Sequence, residues 1–332
     1  MGNCWIGEGN MNIEFLIQNI KNGKVYDISQ LVSDVEWVTD IDFQPGKLQF
    51  DLLMDKNVQV NHGDIIRFKV AGQGIFLGKV FVKKRSQKSV WSITAYDQMR
   101  YLKNEDTTVF GALPSHDVFA KICRDNELPY KIVDRSGWNV PATIQDKKSL
   151  FTMIQNALDL TLVHYGMWYI IRDRFGVLEH VALNSLVTKL VIGDYSLATD
   201  YDFQSSIDDA ANQIKLTRDN KETAKREVYI VKDSQNINYW GKLQYHETVK
   251  ENMNEAQIAK QAEMLLKAKN NETKTLKVGC IGDQSISAGS GIVLMLTDLE
   301  AEGFKKQQLA IVSKCSHKWG ETHTMDLTLK VV

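Results

Sequence analysis

An alternation of apolar and polar residues with a period of two dominates residues 11 to 96 and constrains the fold more than any other feature. Each alternating row is typical of one face of a half-buried β-strand. The rows are Met11, Ile13, Phe15 and Ile17; Val35 and Trp37; Leu48, Phe50 and Leu52; Val80 and Val82; and Trp91, Ile93 and Ala95. Because turn sequences such as IKNGK, QPGK, NHGD and AGQG separate the rows, this part predicts a small antiparallel barrel or sandwich.

The pattern changes to a helical period at residue 115. Ser115 is predicted to cap a helix that buries Val118, Phe119 and Ile122. Ser149 is predicted to cap a longer helix that ends at Gly166, and a β-hairpin with its turn at residues 173–176 follows. Residues 105 to about 190 therefore predict a mixed α+β unit.

The last third of the chain returns to strands, at residues 212–216 and 227–233, but contains one helix at 254–269. Asn254 is its predicted cap, Gln257 completes a capping box, and one face carries Ile258, Ala262, Leu265 and Leu266. We expect a mainly β protein with an α+β insert, namely two related small antiparallel β-barrels and a mixed α/β middle domain. The predicted domains are a tube-like β-barrel at 1–104, the middle domain at 105–200 and a second β-barrel with its helix at 201–332.

Two parts of the chain resemble each other. In residues 47–70 and 274–296, Leu48, Phe50 and Leu52 correspond to Leu276, Val278 and Cys280, and Gly63 corresponds to Gly289. Residues 79–97 and 310–331 each combine an alternating strand, a basic polar turn and another alternating strand. Chance remains an alternative, because any two β-hairpins share alternation. If the duplication is real, a trimer offers six near-equivalent surfaces, which would fit a symmetry adaptor between threefold and sixfold partners.

A glycine-rich segment, GDQSISAGSGIVLML at 282–296, could pass for a phosphate-binding loop. Gly289 and Gly291 fit a GxGxxG spacing, but the third position is Leu294 and no Gly-Lys-Ser/Thr ending follows. The segment instead predicts a glycine bend between strands. HExxH, GxSxG, SxxK and paired Cys/His motifs are also missing, so we predict no catalytic, cofactor-binding or metal-binding residue.

Several residues can be interpreted either as functional or as structural. His317 and His323 flank a predicted turn and could approach each other, although a solvated turn is favoured over a metal site. The basic run Lys83-Lys84-Arg85 is expected at a hairpin tip without interleaved aromatics, and Asp208-Asp209 in a solvated loop. The four cysteines, at 4, 123, 280 and 315, lack metal-ligand spacing, which favours a reducing compartment.

The overall charge excludes a general attraction to anionic partners. Forty Lys and Arg residues oppose 41 Asp and Glu residues, which gives a net charge of −1. No apolar run approaches the roughly 18 residues that a membrane-spanning helix needs. We therefore expect neither specific nucleic-acid binding nor membrane insertion.

A resemblance to a known family rests on the order of several segments. These are DISQLVSDVEWVTD, SITAYDQMRYL, SLFTMIQNALDLTLVHYGMWYIIRDRFGVLEHV, ANQIKL, YWGKLQYHETV, NEAQIAKQAEMLLKA, GDQSISAGS and TMDLTLKV. In this order they resemble the XkdQ/YqbQ-type baseplate hubs of contractile phage tails and tail-like particles, a late-control D or tail-hub family. Residues 39–43 depart from the small and basic pattern of many relatives, which puts the local contacts of that strand in doubt.

The resemblance implies a structural, non-enzymatic homotrimer without cofactors, between the hexameric tail tube and the trimeric central spike. Its expected partners are the tail tube or tube-initiator protein, the spike protein and other baseplate proteins, with the tape measure as a further candidate. The expected location is the baseplate of a virion or tail-like particle, assembled in the bacterial cytoplasm. Two alternatives stay open: a tail-associated cell-wall hydrolase, and a small-barrel module that binds saccharide or nucleic acid.

Overall fold

The computed structural model describes residues 12–87, 89–193, 198–220, 225–249, 251 and 253–331. Met11, which begins the first alternating row, and Cys4 lie outside the described residues. No helix in the described part of the chain is both long enough and apolar enough to cross a membrane.

Strands make up most of the described chain. They are β1 (Ile13–Gln18), β2 (Val25–Asp27), β3 (Val32–Asp40), β4 (Lys47–Leu53), β5 (Ile65–Val70), β6 (Gln73–Gln87), β7 (Val90–Tyr96), β8 (Glu105–Phe110), β9 (Leu113–Pro114), β10 (Tyr130–Ile132), β11 (Asn139–Val140), β12 (Thr143–Ser149), β13 (Tyr169–Arg174), β14 (Val177–Ala182), β15 (Val187–Gly193), β16 (Ala198–Ser206), β17 (Gln213–Asn220), β18 (Lys225–Lys232), β19 (Gln244–Thr248), β20 (Thr273–Ile281), β21 (Gly291–Met295), β22 (Gln308–Trp319) and β23 (His323–Val331). The α-helices are α1 (Ser115–Asp125), α2 (Leu150–Tyr165), α3 (Ser234–Trp240) and α4 (Glu255–Lys269). The predicted mainly β class is confirmed.

One sheet contains 13 of the described strands. Its order is β16-β20-β23-β22-β3-β4-β7-β6-β5-β1-β2, and β15 and β21 extend it from β22. The sheet curls over its own apolar face, because Phe15 on β1 and Phe50 on β4 place their ring centroids 4.7 Å apart although three strands separate them in the order. The order among the described residues is an open path, so the closure of each barrel stays a prediction.

The predicted duplication is visible in the strand order. A first module has the order β3-β4-β7-β6-β5-β1, and a second module has the order β16-β20-β23-β22-β21-β15. Each strand thus has a counterpart in the same position, including β4 with β20 and the hairpin β6–β7 with β22–β23. One pair differs in direction, because β1 pairs antiparallel with β5 whereas β15 pairs parallel with β21. Chance similarity of two hairpins does not explain six strands in one order.

The two corresponding glycines occupy the same turn in their modules. Gly63 has φ of +85° and Gly289 has φ of +92°, a backbone region that favours glycine. The N–H of Gly63 donates to the carbonyl of Val80 at 2.8 Å, and that of Gly289 donates to the carbonyl of Val312 at 2.8 Å. In both modules the valine N–H then donates back to the residue after the glycine, at 2.9 Å. The prediction of a glycine bend between strands is confirmed.

Side chains repeat the likeness in these turns. Oδ2 of Asp64 accepts a hydrogen bond from the N–H of Asn61 at 2.7 Å. Oγ of Ser290 accepts from the N–H of Ser287, also three residues earlier, at 3.1 Å. A carboxylate in one module and a hydroxyl in the other therefore stabilise the same backbone turn, which explains how the modules retain one shape with little identity.

A bulge also recurs, and it corrects one predicted row. The register of β6 against β7 shifts between Val80 and Val82, and that of β22 against β23 shifts between Val312 and Lys314. The prediction that Val80 and Val82 share one buried face is wrong, because the extra residue of a bulge turns the next residues of the strand to the other face. Val80 is buried, whereas Val82 is 47% exposed.

The two helices of the middle segment cover one core with the hairpin β13–β14. Ser149 caps α2 as predicted, since its hydroxyl accepts from the N–H of Thr152 at 3.1 Å, and Gly166 ends the helix at φ +75°. The predicted cap at Ser115 is wrong. Ser115 is the first residue of α1 and Pro114 precedes it without a side-chain bond, because the Ser115 hydroxyl points to other buried polar groups.

The chain divides into two compact units. Unit 1 extends to Asp202 and resumes at Leu276, and unit 2 comprises Phe203–Thr275. The domains predicted at 1–104, 105–200 and 201–332 stay a prediction; in the described structure the last strands of 201–332 pair within the large sheet of unit 1. Helix α4 belongs to unit 2, where Ile258 and Ala262 pack into a separate core. Its predicted capping box is confirmed, with Asn254 and Gln257 bonded to each other's backbone N–H at 2.9 Å.

Candidate assembly surface

The two modules join through a strand pair. Residues Val35–Asp40 of β3 lie antiparallel to Lys314–Trp319 of β22, and this ladder begins directly after the bulge of β22. At one end of the junction, the N–H of Ile41 donates to the carbonyl of Ser313 at 2.9 Å. Because of this junction, the eight strands from β16 to β6 in the strand order form one continuous sheet surface.

Opposite charges face each other across this junction. Lys318 lies directly opposite Glu36, and Lys314 lies directly opposite Asp40. The hydroxyl of Ser316 donates to Oε1 of Glu36 at 2.6 Å. Burial raises the pKa of Asp40, while Lys314 lowers it. Acidic residues thus belong to β3 and basic residues to β22.

The outward face of the eight strands carries both signs of charge, together with the exposed apolar side chains of Val82 and Ile281. Lys318 pairs with Asp326 on β23 at 2.8 Å, and the hydroxyl of Ser92 donates to Asp51 on β4 at 2.6 Å. The opposite faces of the same strands carry the buried residues Leu48, Phe50, Ile93, Leu276, Val278, Leu327 and Leu329.

A buried serine and histidine lie together in the middle segment. Nδ1 of His180 donates to the backbone carbonyl of Asp134 at 2.8 Å, and Nε2 lies 3.3 Å from the hydroxyl of Ser115, which donates to the Ser136 hydroxyl at 3.0 Å. Burial lowers the pKa of His180 to about 4, so its imidazole is neutral. These are parts of a nucleophile pair, but Ser115 and His180 are both 0% exposed and leave a substrate no access. The contact instead places the start of α1 against β14.

Two buried carboxyl groups line a cleft in unit 1. Asp97 accepts from the N–H groups of Gly46 and Met99, at 2.9 and 3.0 Å. Asp173 accepts from the N–H groups of Gly176 and Gln98, at 2.7 and 3.2 Å. Burial raises the pKa of Asp173 to about 7, and burial with the neighbouring Asp173 charge raises the pKa of Asp97. Through these hydrogen bonds, Asp97 and Asp173 connect the hairpin β13–β14 to the first module.

The predicted approach of His317 and His323 is confirmed, but their surroundings are not a solvated turn. Nδ1 of His317 lies 2.9 Å from Nε2 of His323, and Nε2 of His317 donates to the carbonyl of Ile286 at 2.8 Å. The His317 ring also stacks on Trp37 and Trp319. Burial lowers the pKa of His317 to about 4. Among the described residues, no group of three or more His, Cys, Asp or Glu side chains is arranged to hold a metal ion.

The basic run lies within strand β6 and has an aromatic neighbour, which corrects the expected tip without aromatics. Trp91 is directly opposite Arg85 on β7. Lys83 Nζ lies 5.0 Å and the Arg85 guanidinium carbon 5.9 Å from the centre of the Trp91 ring. Both are cation–π contacts, so this aromatic face already has its partners. Lys84 points to the other face and is exposed.

The other residues considered in the sequence analysis are the cysteines, Asp208 and Asp209, and the remaining histidines. Cys123, Cys280 and Cys315 are buried and form no disulfide in the described structure, and burial raises the pKa of Cys123 to about 12. Asp208 and Asp209 are exposed in a turn of unit 2, as predicted. His62 and His246 are exposed, whereas His116 is buried and contacts Ser136, and His164 stacks on Trp138.

Sequence reasoning missed the junction between β3 and β22, which joins residues nearly 280 positions apart. The only signal in the sequence was charge, since VEWVTD is acidic and SKCSHKW is basic. The approach of Asp97 to Asp173 could not be predicted either, because no local sequence motif marks the two residues.

A family model described as YQBQ-like matches residues 35–330, which is most of the chain. The chain belongs to the YqbQ-like family. The resemblance drawn from the ordered sequence segments is thereby confirmed. The matched region includes the first module from Val35 of β3 onward, the middle segment, unit 2 and the second module, but it does not include β1.

Two relatives from Bacillus subtilis (strain 168) match at the level of sequence. The uncharacterized protein YqbQ is 31% identical over 272 residues, which cover 81% of each chain. The phage-like element PBSX protein XkdQ is 29% identical over 273 residues, with the same coverage.

Solved structures share the fold at low identity. The 43 kDa tail protein of prophage MuSo2 from Shewanella oneidensis has a TM-score of 0.68 at 12% identity, over 97% of this chain and 98% of that chain. The Escherichia coli protein c3393, described as a type VI secretion component similar in structure to the T4 tail proteins gp27 and gp5, has a TM-score of 0.56 at 10% identity, over 96% and 77%. At such identities the likeness establishes the fold alone.

Proposed function

We propose that this chain is the baseplate hub of a contractile phage tail or tail-like particle. Three copies would form a ring that connects a hexameric tail tube to a trimeric central spike. The observation that carries the proposal is the duplicated strand order, because three chains with two like modules each present six equivalent positions. One face of the ring can then repeat six times while the remainder repeats three times.

The eight-stranded surface supports the ring. If three copies join edge to edge, the three sets of eight strands make a closed barrel of 24 strands. With strands about 4.8 Å apart and a tilt of about 40°, such a barrel is roughly 50 Å across. Its polar face of both signs suits a water-filled channel, since paired charges such as Lys318 and Asp326 give a passing chain little net attraction.

The shared fold gives this proposal further support. A relative is a phage-like element protein, and solved neighbours are described as a prophage tail protein and a type VI component similar to tail proteins. The proposed partners are the tail tube or tube-initiator protein, the spike protein, other baseplate proteins and the tape measure. The proposed location is the baseplate of the particle, assembled in the host cytoplasm, and the proposed role is structural rather than enzymatic.

The experiment is to determine the mass of the purified chain by native mass spectrometry and light scattering across a concentration series. We expect a trimer as the largest stable species, and electron cryo-microscopy of the particle should place it at the tip of the tail tube. A monomer at every concentration, together with a location away from the tube tip, would refute the proposed function.

A further inference from the structure

A side chain of the long hairpin strand holds the glycine bend of each module. The bends are residues 57–64 in the first module and 283–290 in the second. In the first module, Nζ of Lys83 on β6 donates to the carbonyl of Val60. In the second module, Nε2 of His317 on β22 donates to the carbonyl of Ile286 at 2.8 Å. Each carbonyl lies three residues before the glycine of its bend, so an ammonium group in one copy and an imidazole in the other hold the same carbonyl.

The hydrogen bonds of His317 determine where its protons are. Its Nε2 carries a hydrogen, because the carbonyl of Ile286 only accepts. In the neutral ring Nδ1 is then an acceptor, and Nε2 of His323 donates to it at 2.9 Å. One added proton leaves this contact intact, because it can go to Nδ1 of His323. A second added proton places N–H groups on both facing nitrogens, and the contact is lost.

Aromatic rings surround the pair. The His317 ring stacks on Trp37 of β3 and on Trp319 of β22, with centroids 5.3 and 5.4 Å away. The His323 ring stacks on Trp319 at 4.7 Å. His317 is 0% exposed, so water does not reach its ring. A charge in such a place is costly unless a partner neutralises it.

The ionisable groups around the pair give little compensation. Burial lowers the pKa of both histidines, to about 4 for His317, and outweighs Asp283 of the second bend, which raises it. Sγ of Cys315 lies 3.1 Å from Nε2 of His317, and burial raises the pKa of this thiol. Burial also raises the pKa of Cys280 on β20, to about 12, so both thiols are neutral. The contacts from β3 and β5 are uncharged aromatic rings.

The second bend also contacts the junction between the modules. The N–H of Ala288 donates to the hydroxyl of Thr39 on β3 at 2.9 Å. Ala288 packs with Ile41 and Ile311 in one buried cluster. The carbonyl that His317 holds therefore belongs to a segment that contacts both strands of the junction.

We propose that His317 and His323 form an acid-sensitive latch that closes the second bend on the junction between the modules. The pair holds one added proton, and uptake of a second separates the two rings and opens residues 283–290. The first bend lacks this response, because the ammonium group of Lys83 is already charged in the closed state. The latch lies within one chain, so its test is independent of the proposed function.

Acid opens the latch, because a histidine whose pKa falls on folding binds fewer protons in the closed state. The contribution of His317 is fully present above its ordinary pKa of 6.5 and is lost as the pH falls to about 4. Between about pH 7 and pH 4.5, the protection of the second bend should fall about tenfold to a hundredfold.

The test is hydrogen–deuterium exchange of the full-length chain, followed by mass spectrometry at several pH values in this range. Each rate is divided by the intrinsic exchange rate at the same pH, which gives the protection of each bend. We expect protection to fall with acid in 283–290 and to stay constant in 57–64. Constant protection in 283–290 would overturn the latch, and so would an equal fall in both bends.

His323→Gln tests the pair itself. Its amide can donate to Nδ1 of neutral His317 and can turn its carbonyl toward the protonated ring. The fall in protection of 283–290 should therefore be smaller than in the wild type, by about threefold or more. His62→Gln is the matched control, because His62 is an exposed histidine of the first bend, and it should respond as the wild type does.

The same fall in protection in His323→Gln and in the wild type would overturn the role of the pair. The comparison of the two bends in the wild type needs no variant, so it decides the question even if His323→Gln does not fold. The oligomeric state of the chain does not enter either result, which separates a failure of the latch from a failure of the hub.

Discussion

The sharpest prediction compares the two corresponding glycines. Replacement of Gly289 or Gly63 by valine forces a β-branched residue into positive φ, +92° or +85°, at a cost of about 1–3 kcal/mol. The surroundings differ. A Cβ at Gly63 meets no atom within 4 Å, whereas a Cβ at Gly289 overlaps Cδ1 of Ile170. Overpacking adds about 1–3 kcal/mol at Gly289 only, so Gly289→Val should be the more destabilising by that amount.

The assay is urea unfolding followed by circular dichroism, with the midpoints converted to free energies of unfolding. A double variant tests the cause. Ile170→Ala removes the overlapping atom, so the loss in Gly289→Val with Ile170→Ala should be smaller than the sum of the single losses by about 1–2 kcal/mol. Equal losses at Gly63 and Gly289 would refute the packing argument. No loss at either glycine would refute the strained turn, and with it the strongest sign of duplication.

Two further predictions concern buried polar groups. The pKa of Asp173 rises from 3.8 to about 7 on folding, so its contribution to the free energy of unfolding is present below about pH 4 and is lost as the pH rises to about 7. The urea midpoint of the wild type should therefore fall relative to that of Asp173→Asn between pH 4 and pH 8. A difference between the two midpoints that stays constant with pH would contradict this. Ser115→Ala should cost about 1–3 kcal/mol, because His180 loses a buried partner. In a peptidoglycan dye-release assay Ser115→Ala should match wild type, whereas release that only the wild type shows would favour the hydrolase alternative.

The sequence predicted features that are encoded locally. Alternation marked most strands of both modules, and the cap at Ser149 and the capping box at Asn254 each depend on residues three positions apart. The repeat was detectable because Gly63 and Gly289 need the same backbone conformation, which few residues adopt. In each case the strand, cap or turn depends on residues close together in the chain, so the sequence shows it as a local pattern.

Features that depend on register or on distant segments were not predictable in this way. One bulge residue after Val80 turns Val82 outward and brings Arg85 opposite Trp91, and alternation alone does not show a bulge. Ser115 is a residue type that often caps helices, yet its hydroxyl contacts His180, which lies 65 residues further along the chain on β14. The division into two compact units is hidden from the sequence for a related reason, since strands before and after unit 2 are neighbours in one sheet.

The position of unit 2 in the chain shows how duplicated modules can serve two symmetries. In the first module the connection between β3 and β4 is the short loop 41–46, whereas the corresponding connection between β16 and β20 contains residues 207–272. An insertion in one copy leaves the paired strands of both copies alike. In the proposed ring the strand surface would therefore repeat six times while unit 2 repeats only three times. The adaptor between sixfold and threefold partners would then follow from one duplication and one unequal loop.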